Sequence, residues 1–148
     1  MALKNNTWKL NQWYDQAVAG TQGDYSGEIQ LWGWGRNNHG QLGVNDKNNR
    51  SSPVQIPGTT WDVSDHDKIT GDFYSCGAIK TDGTLWMWGH NNRGQLGQNE
   101  GVNKDKSSPC QVPGTTWKYI SSGSNGSNAT FGVKTDGTAW AWGSSSYG

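Results

Sequence analysis

Cysteine is scarce in this chain, with 2 in 148 residues, and Cys76 and Cys110 form neither a disulfide framework nor a metal-ligand spacing. They read as two unpaired, partly buried thiols. Apolar residues are also few, at 31%, which is thin for an aliphatic core. No apolar run approaches the ~18 residues that a membrane span requires. The N-terminal stretch MALKNNTWKLNQW lacks the roughly 7–15-residue apolar segment of a secretory signal, so a soluble chain without membrane insertion is expected. Neither sign of charge prevails, with 12 Lys and Arg against 12 Asp and Glu. Without a basic surplus, nucleic acid is not an expected partner.

What the chain has is tryptophan and glycine. It carries 10 Trp, and each buried aromatic removes roughly 150–250 Å² from water, so a core built on indoles is expected. Its 22 Gly are about twice the usual ~7% share and suit many tight turns between short strands. Long helices are effectively excluded.

The chain repeats itself. Trp32-Gly33-Trp34-Gly35 returns as Trp86-Met87-Trp88-Gly89 and as Trp140-Ala141-Trp142-Gly143, a period of 54 residues. Gly40-Gln41-Leu42-Gly43 returns as Gly94-Gln95-Leu96-Gly97, and Lys80-Thr81-Asp82-Gly83-Thr84 as Lys134-Thr135-Asp136-Gly137-Thr138, at the same period. Ser51-Ser52-Pro53 and Pro57-Gly58-Thr59-Thr60-Trp61 return 56 residues later, through an insertion after the second GQLG that a deletion past Trp117 offsets. Thr7-Trp8 and Gly23 to Gly27 fit the frame more weakly. The expected organisation is an N-terminal arm with a degenerate half-repeat over 1–30, a full repeat over 31–84, a second over 85–138, and the truncated start of a third over 139–148.

Each unit holds four strand signals. In the middle one these are Thr59 to Val63, Phe73 to Lys80, Thr84 to Trp88 and Pro109 to Val112, the last demoted to an edge by its prolines. Asp82-Gly83 and Asp136-Gly137 predict two-residue type I′ hairpin turns, with positive φ at both positions. Strand alternation puts Trp86 and Trp88 on one face and Leu85 and Met87 on the other. Four short antiparallel strands per unit of about 54 residues make one blade of a β-propeller, so the fold class is all-β. Both faces of such a blade carry large apolar side chains, and leaving one wet forfeits roughly 1.5–3 kcal/mol. Propellers close with about 4–8 blades, and this chain holds an incomplete ring of fewer than three. It ends inside a motif, which predicts either a fragment of a longer chain or a blade completed by another subunit.

LWGWGRNNHGQLG and LWMWGHNNRGQLG, each followed by SSP, resemble the repeats of the regulator of chromosome condensation family. The resemblance covers about 115 residues well and the first 30 poorly. It implies a propeller, commonly seven-bladed, that serves as a binding platform; members include a nucleotide exchange factor that docks on chromatin and inhibitors of β-lactamase. The family's frequent His before the hairpin is replaced here by Ser75 and Ala129. Short Trp- and Asn-rich chains of this kind also resemble tail-fibre and other virion proteins of tailed bacteriophages.

The indoles Trp32, Trp34, Trp61, Trp86, Trp88, Trp117, Trp140 and Trp142 are expected in the repeat core. Sugar stacking falls instead to Trp13, Tyr14 or Tyr147. No enzyme constellation appears, and no catalytic residue is assigned. None of His39, His66 and His90 has a partner at metal spacing in the sequence, so no metal and no cofactor are expected. Asp65-His66-Asp67 reads as a solvated turn. Asn45-Asp46 and Asn103 to Asp105 lack the spaced acids and closing Glu of a calcium loop. His39 aligns with Arg93 and His90 with Arg36, a trade that suits a polar contact surface. With the loops Val44 to Ser52 and Gln98 to Ser108, these four form the candidate rim contacts. The expected function is non-enzymatic: a virion protein of a tailed phage, in a tail fibre, receptor-binding part or capsid. Its partners would be other virion subunits, copies of itself or a host-surface glycan, and its location the virion. The alternative is a regulatory protein-binding propeller, like an exchange factor or an enzyme inhibitor.

Overall fold

The computed structural model describes residues 28–101, 103–123 and 128–144. The N-terminal arm with Trp8, Trp13, Tyr14 and Gly23 to Gly27 lies outside the described residues, as does Tyr147. Among the described residues there are three antiparallel sheets and a single 3-10 turn. β1 (Leu31–Gly35) pairs with β2 (Arg50–Ile56). β3 (Ile69–Gly71), β4 (Ser75–Ile79), β5 (Leu85–Gly89) and β6 (Lys106–Gln111) form a four-stranded meander. β7 (Trp117–Ser122), β8 (Ala129–Lys134) and β9 (Ala139–Gly143) form a three-stranded one. These sheets are blades of a partial propeller, and the middle one has all four strands. Its strands run from residue 69 to residue 111.

Strand alternation explains why the blades stack. Leu85 and Met87 face one way and join Ile79, Leu96, Val112, Trp117 and Ile120, with Trp142 packed against them. Trp88 and the half-buried Trp86 face the other way, with Ile56, Trp61, Ala78, Ile29 and Leu31. One strand thus supplies two separate cores, one for each neighbouring blade. No single sheet could keep both dry.

Three details differ from the sequence expectation. Thr59 to Val63 does not form a strand; Trp61 makes only an isolated bridge to Lys80, and the first strand of the blade is β3. The Asp62 carboxylate accepts the Ser64 N–H at 2.9 Å and the Ser64 hydroxyl at 2.6 Å, a local turn that draws the chain out of the ladder. The fourth strand starts three residues early, at Lys106, with Pro109 on the outer edge of the sheet. The hairpins are not type I′. Positive φ falls on Gly83 (+78°) and Gly137 (+85°) but not on Asp82 or Asp136. The Gly83 N–H reaches the Lys80 carbonyl at 2.9 Å and the Lys80 N–H reaches Thr84. This is a three-residue loop, a type I turn closed by a left-handed glycine. Asp82 stays in an ordinary conformation because its carboxylate accepts the Thr84 N–H and hydroxyl, at 3.0 and 2.6 Å.

Cys76 and Cys110 are free thiols. Burial, reinforced by the charge of Asp72, pushes the Cys76 thiol up to about 12, and burial also raises Cys110. A thiol at that value is almost wholly protonated and a poor nucleophile. In the folded chain at pH 8, Cys76 is therefore expected to escape an alkylating reagent that labels both cysteines in urea. Peptide mass mapping reads this directly, and native labelling of Cys76 at the unfolded rate would contradict it.

Candidate functional site

The GQLG loop is the device that joins one blade to the next. Asn37 is fully buried; its side-chain oxygen accepts the Leu42 N–H at 2.9 Å and its amide donates to Asp46. The Gln41 side chain accepts the His39 N–H at 2.9 Å. So braced, the loop seats Leu42 in the interior and aims the Gln41 carbonyl at the next blade, where the Trp88 indole donates to it at 2.9 Å. Gly43 leaves room for that indole: a Cβ there would stand 2.9 Å from Trp88 Cδ1. The second loop repeats three of these contacts. Asn91 accepts from Leu96, Gln95 accepts the Arg93 N–H, and Trp142 donates to the Gln95 carbonyl at 2.9 Å.

The KTDGT hairpin holds the other indoles. Thr84 accepts the Trp86 N–H at 2.9 Å, and Thr138 the Trp140 N–H at 3.1 Å. The Lys80 ammonium lies 4.2 Å from the Trp86 ring centre and 5.2 Å from that of Trp61. Lys134 sits likewise at 4.9 Å over Trp117 and 4.8 Å over Trp140. Such contacts contribute roughly 0.5–1 kcal/mol at exposed sites.

Above the first clamp, loops from two blades converge on a polar patch. His39, on the loop after β1, places Nδ1 3.2 Å from Asp105 Oδ2. Its ring centre is 4.3 Å from that of His90, which follows β5, and 4.9 Å from that of Tyr74. The Arg36 guanidinium lies 5.5 Å from the Tyr74 ring centre, and Lys47 Nζ is 3.3 Å from Asp105 Oδ2. Asp105 Oδ1 accepts the Asn91 N–H at 3.1 Å. Burial alone would raise the Asp105 carboxyl, but the Asn91 N–H, His39 and Lys47 hold it below its ordinary range. Burial pushes the His90 imidazole below its usual value, and the Asp105 charge opposes that without cancelling it.

Of the candidate rim residues, Arg36, His39 and His90 are thus brought to one place, while exposed Arg93 belongs to the next loop along. Position 39 of one blade meets position 90 of the next, so the Arg-for-His trade between repeats puts two histidines at one interface. The fold thus brings together two histidines that stand at no metal spacing in the sequence. Lys47 and Asp105 come from the two expected rim loops, whereas Tyr74 lies outside them. Asp65-His66-Asp67 is exposed, with His66 Nδ1 2.8 Å from Asp65 Oδ1. Among the indoles, Trp61, Trp88 and Trp117 are buried and Trp86 and Trp142 half-buried. Trp32, Trp34 and Trp140 are 51%, 64% and 52% exposed, against the core position expected for them. No GQLG loop packs on Trp34, and no fourth strand flanks β9, among the described residues. Asn37 and Asn91 are functional parts of the clamp that went unremarked, although their exact recurrence at 54 residues was the signal.

Stacked meander blades, locked loop-to-indole, define this as a repeat protein of the β-propeller class. The repeat model described as regulator of chromosome condensation (RCC1) repeat matches residues 30–65 and 82–129, and the chain belongs to that family. It is 32% identical over 119 residues to the ultraviolet-B receptor UVR8 of Arabidopsis thaliana, covering 80% of this chain and 26% of the receptor. It is 28% identical over 116 residues to the mitochondrial RCC1 domain-containing protein RUG3 of the same plant, covering 78% of this chain and 25% of that protein. Among solved structures, yeast RCC1 (Prp20) bound to Kap60 superposes with a TM-score of 0.59 at 21% identity, over 77% of this chain and 28% of that one. The chain therefore spans about a quarter of the length of these relatives. Among the described residues no helix is long and apolar enough to cross a membrane.

Proposed function

We propose that this chain is a non-enzymatic protein-binding module whose contact surface is the rim carrying Arg36, Tyr74, His39, His90 and Lys47. The observation that carries this reading is the convergence of loops from two blades on one partly exposed patch, above a rigid interlock. Loops on a fixed scaffold are where recognition concentrates, and Arg and Tyr are enriched where interface energy is concentrated. A solved relative of the same fold holds a protein partner, Kap60. The partner is thus read as a protein, with copies of this chain included.

The finer reading is a virion protein of a tailed bacteriophage, in a tail fibre, receptor-binding part or capsid, whose rim meets a protein or a host-surface glycan. Two things support it: the resemblance of the repeats to short phage chains, and the exposed Trp32 and Trp34, suited to burial against a further blade. Regulation of an enzyme or a small GTPase is the second reading, favoured by the family. The test uses the chain and an Arg36→Ala/Tyr74→Ala variant, both immobilised and offered virion proteins and host lysate. The wild type is expected to retain a discrete protein that the variant holds at least about tenfold more weakly. Equal retention by the two chains would remove the rim as contact surface. A virion protein in the retained fraction favours the first role, a host protein the second.

A further inference from the structure

We infer that His39, His90 and Asp105 form a site for a divalent transition-metal ion of the zinc class that bridges the first two blades. The ligand atoms of the three residues lie within 4.8 Å of one another. His39 Nδ1 is 3.2 Å from Asp105 Oδ2, and His90 Nε2 is 4.0 Å from Asp105 Oδ1. Two imidazoles and a carboxylate are a donor set that zinc accepts, with water as fourth ligand in a tetrahedron. Carbonyl-rich calcium coordination is not what this set offers.

Two further observations point the same way. The His90 ring is held by a tilted contact with His39 and an edge contact with Tyr74, which fixes its plane with Nε2 4.0 Å from Asp105 Oδ1. The Asp105 carboxylate is positioned from outside the cluster by the Asn91 N–H, as an outer-shell donor positions a metal-binding carboxylate. The cluster is also compact and half-buried, unlike the exposed Asp65-His66-Asp67.

The opposing group is Lys47, which shares Asp105 Oδ2 at 3.3 Å on a side chain 53% exposed. Arg36 is occupied over Tyr74. Metal binding displaces the Lys47 ammonium into solvent, so Lys47 is a competitor rather than a ligand. Since His39 comes from the loop that carries the Gln41 clamp, and His90 and Asp105 flank β5 and β6, the ion ties the blades at the same joint. This goes beyond the partner-binding reading; the two share His39 and His90 but are tested at different side chains, Arg36 and Tyr74 for the partner and Asp105 and His39 for the ion, so either can fail alone.

The experiment titrates the folded chain with zinc against a chromophoric chelator, and with cobalt followed by its visible spectrum. One equivalent binds, the cobalt complex has the intense tetrahedral bands, and zinc raises the melting temperature by about 4 °C or more. Asp105→Asn and His39→Ala, confirmed folded by circular dichroism, lose more than about 100-fold in affinity. Lys47→Ala binds more tightly, a result that a merely structural ion pair would not give. His66→Ala leaves binding unchanged. Absence of stoichiometric binding, or loss of it through His66→Ala instead, overturns the site.

Discussion

Replacing Trp88 by alanine lowers the unfolding free energy by about 3–5 kcal/mol, the range for deleting a large buried aromatic. Only 2% of this residue is exposed. Its ring packs on Trp61 at a centroid distance of 6.0 Å, fills the space that Gly43 leaves open, and donates to the Gln41 carbonyl. Truncation removes the apolar contact, opens a cavity between the blades and leaves a carbonyl without its donor. A domain of this size has about 5–15 kcal/mol of total stability, so the variant forfeits much of it. Trp34→Ala, at the equivalent position one repeat earlier, is expected to lose less than about 1 kcal/mol, because that side chain is 64% exposed. Urea denaturation followed by far-ultraviolet circular dichroism measures both. Comparable losses at the two positions would show that the loop clamp is not what makes Trp88 matter.

Gly89→Ala is expected to cost about 3–5 kcal/mol, and Gly35→Ala about 1–2 kcal/mol. The two glycines hold the same repeat position and nearly the same backbone, with φ of +100° and +104°. That conformation strains any residue with a Cβ. The difference lies in the surroundings. A Cβ on Gly89 would stand 2.2 Å from the Tyr74 carbonyl oxygen and 2.9 Å from Ser75 Cα, backbone atoms at the start of the neighbouring strand, whereas among the described residues nothing lies within 4 Å of one on Gly35. Gly89 ends β5 where the register with β6 shifts, and β4 must close over it. Among the described residues strain alone acts at Gly35; strain and an immovable clash act at Gly89. If the two substitutions cost the same in urea, backbone crowding is not the cause.

Much of the fold was legible because the devices that build it are local and repeated. The 54-residue period, the alternating indoles and the hairpin motif state the blade outright. The hairpin class was not legible because Asp-Gly serves both a type I′ turn and a type I turn closed by glycine, and here Asp82 caps Thr84 through its carboxylate and stays at negative φ. Thr59 to Val63 has the composition of a strand, but the Asp62 turn competes with the ladder. The buried asparagines were visible as repeats yet carried no pattern of apolarity, so only their hydrogen bonds revealed a role. The His39–His90–Asp105 cluster was hidden for another reason. Aligning repeats compares residue 39 with 93, while the contact joins residue 39 to 90, across the gap between blades.

By itself, then, the chain's sequence determined the repeat, its alternating indoles and the class of propeller it builds, since these depend on spacing within a few residues. What only the tertiary structure decided is which surfaces meet. Trp34 and Trp88 sit in nearly identical local sequence, yet one is 64% exposed and the other 2%. A side chain's burial and its partners are properties of the neighbouring blade, and that blade is 54 residues away along the chain.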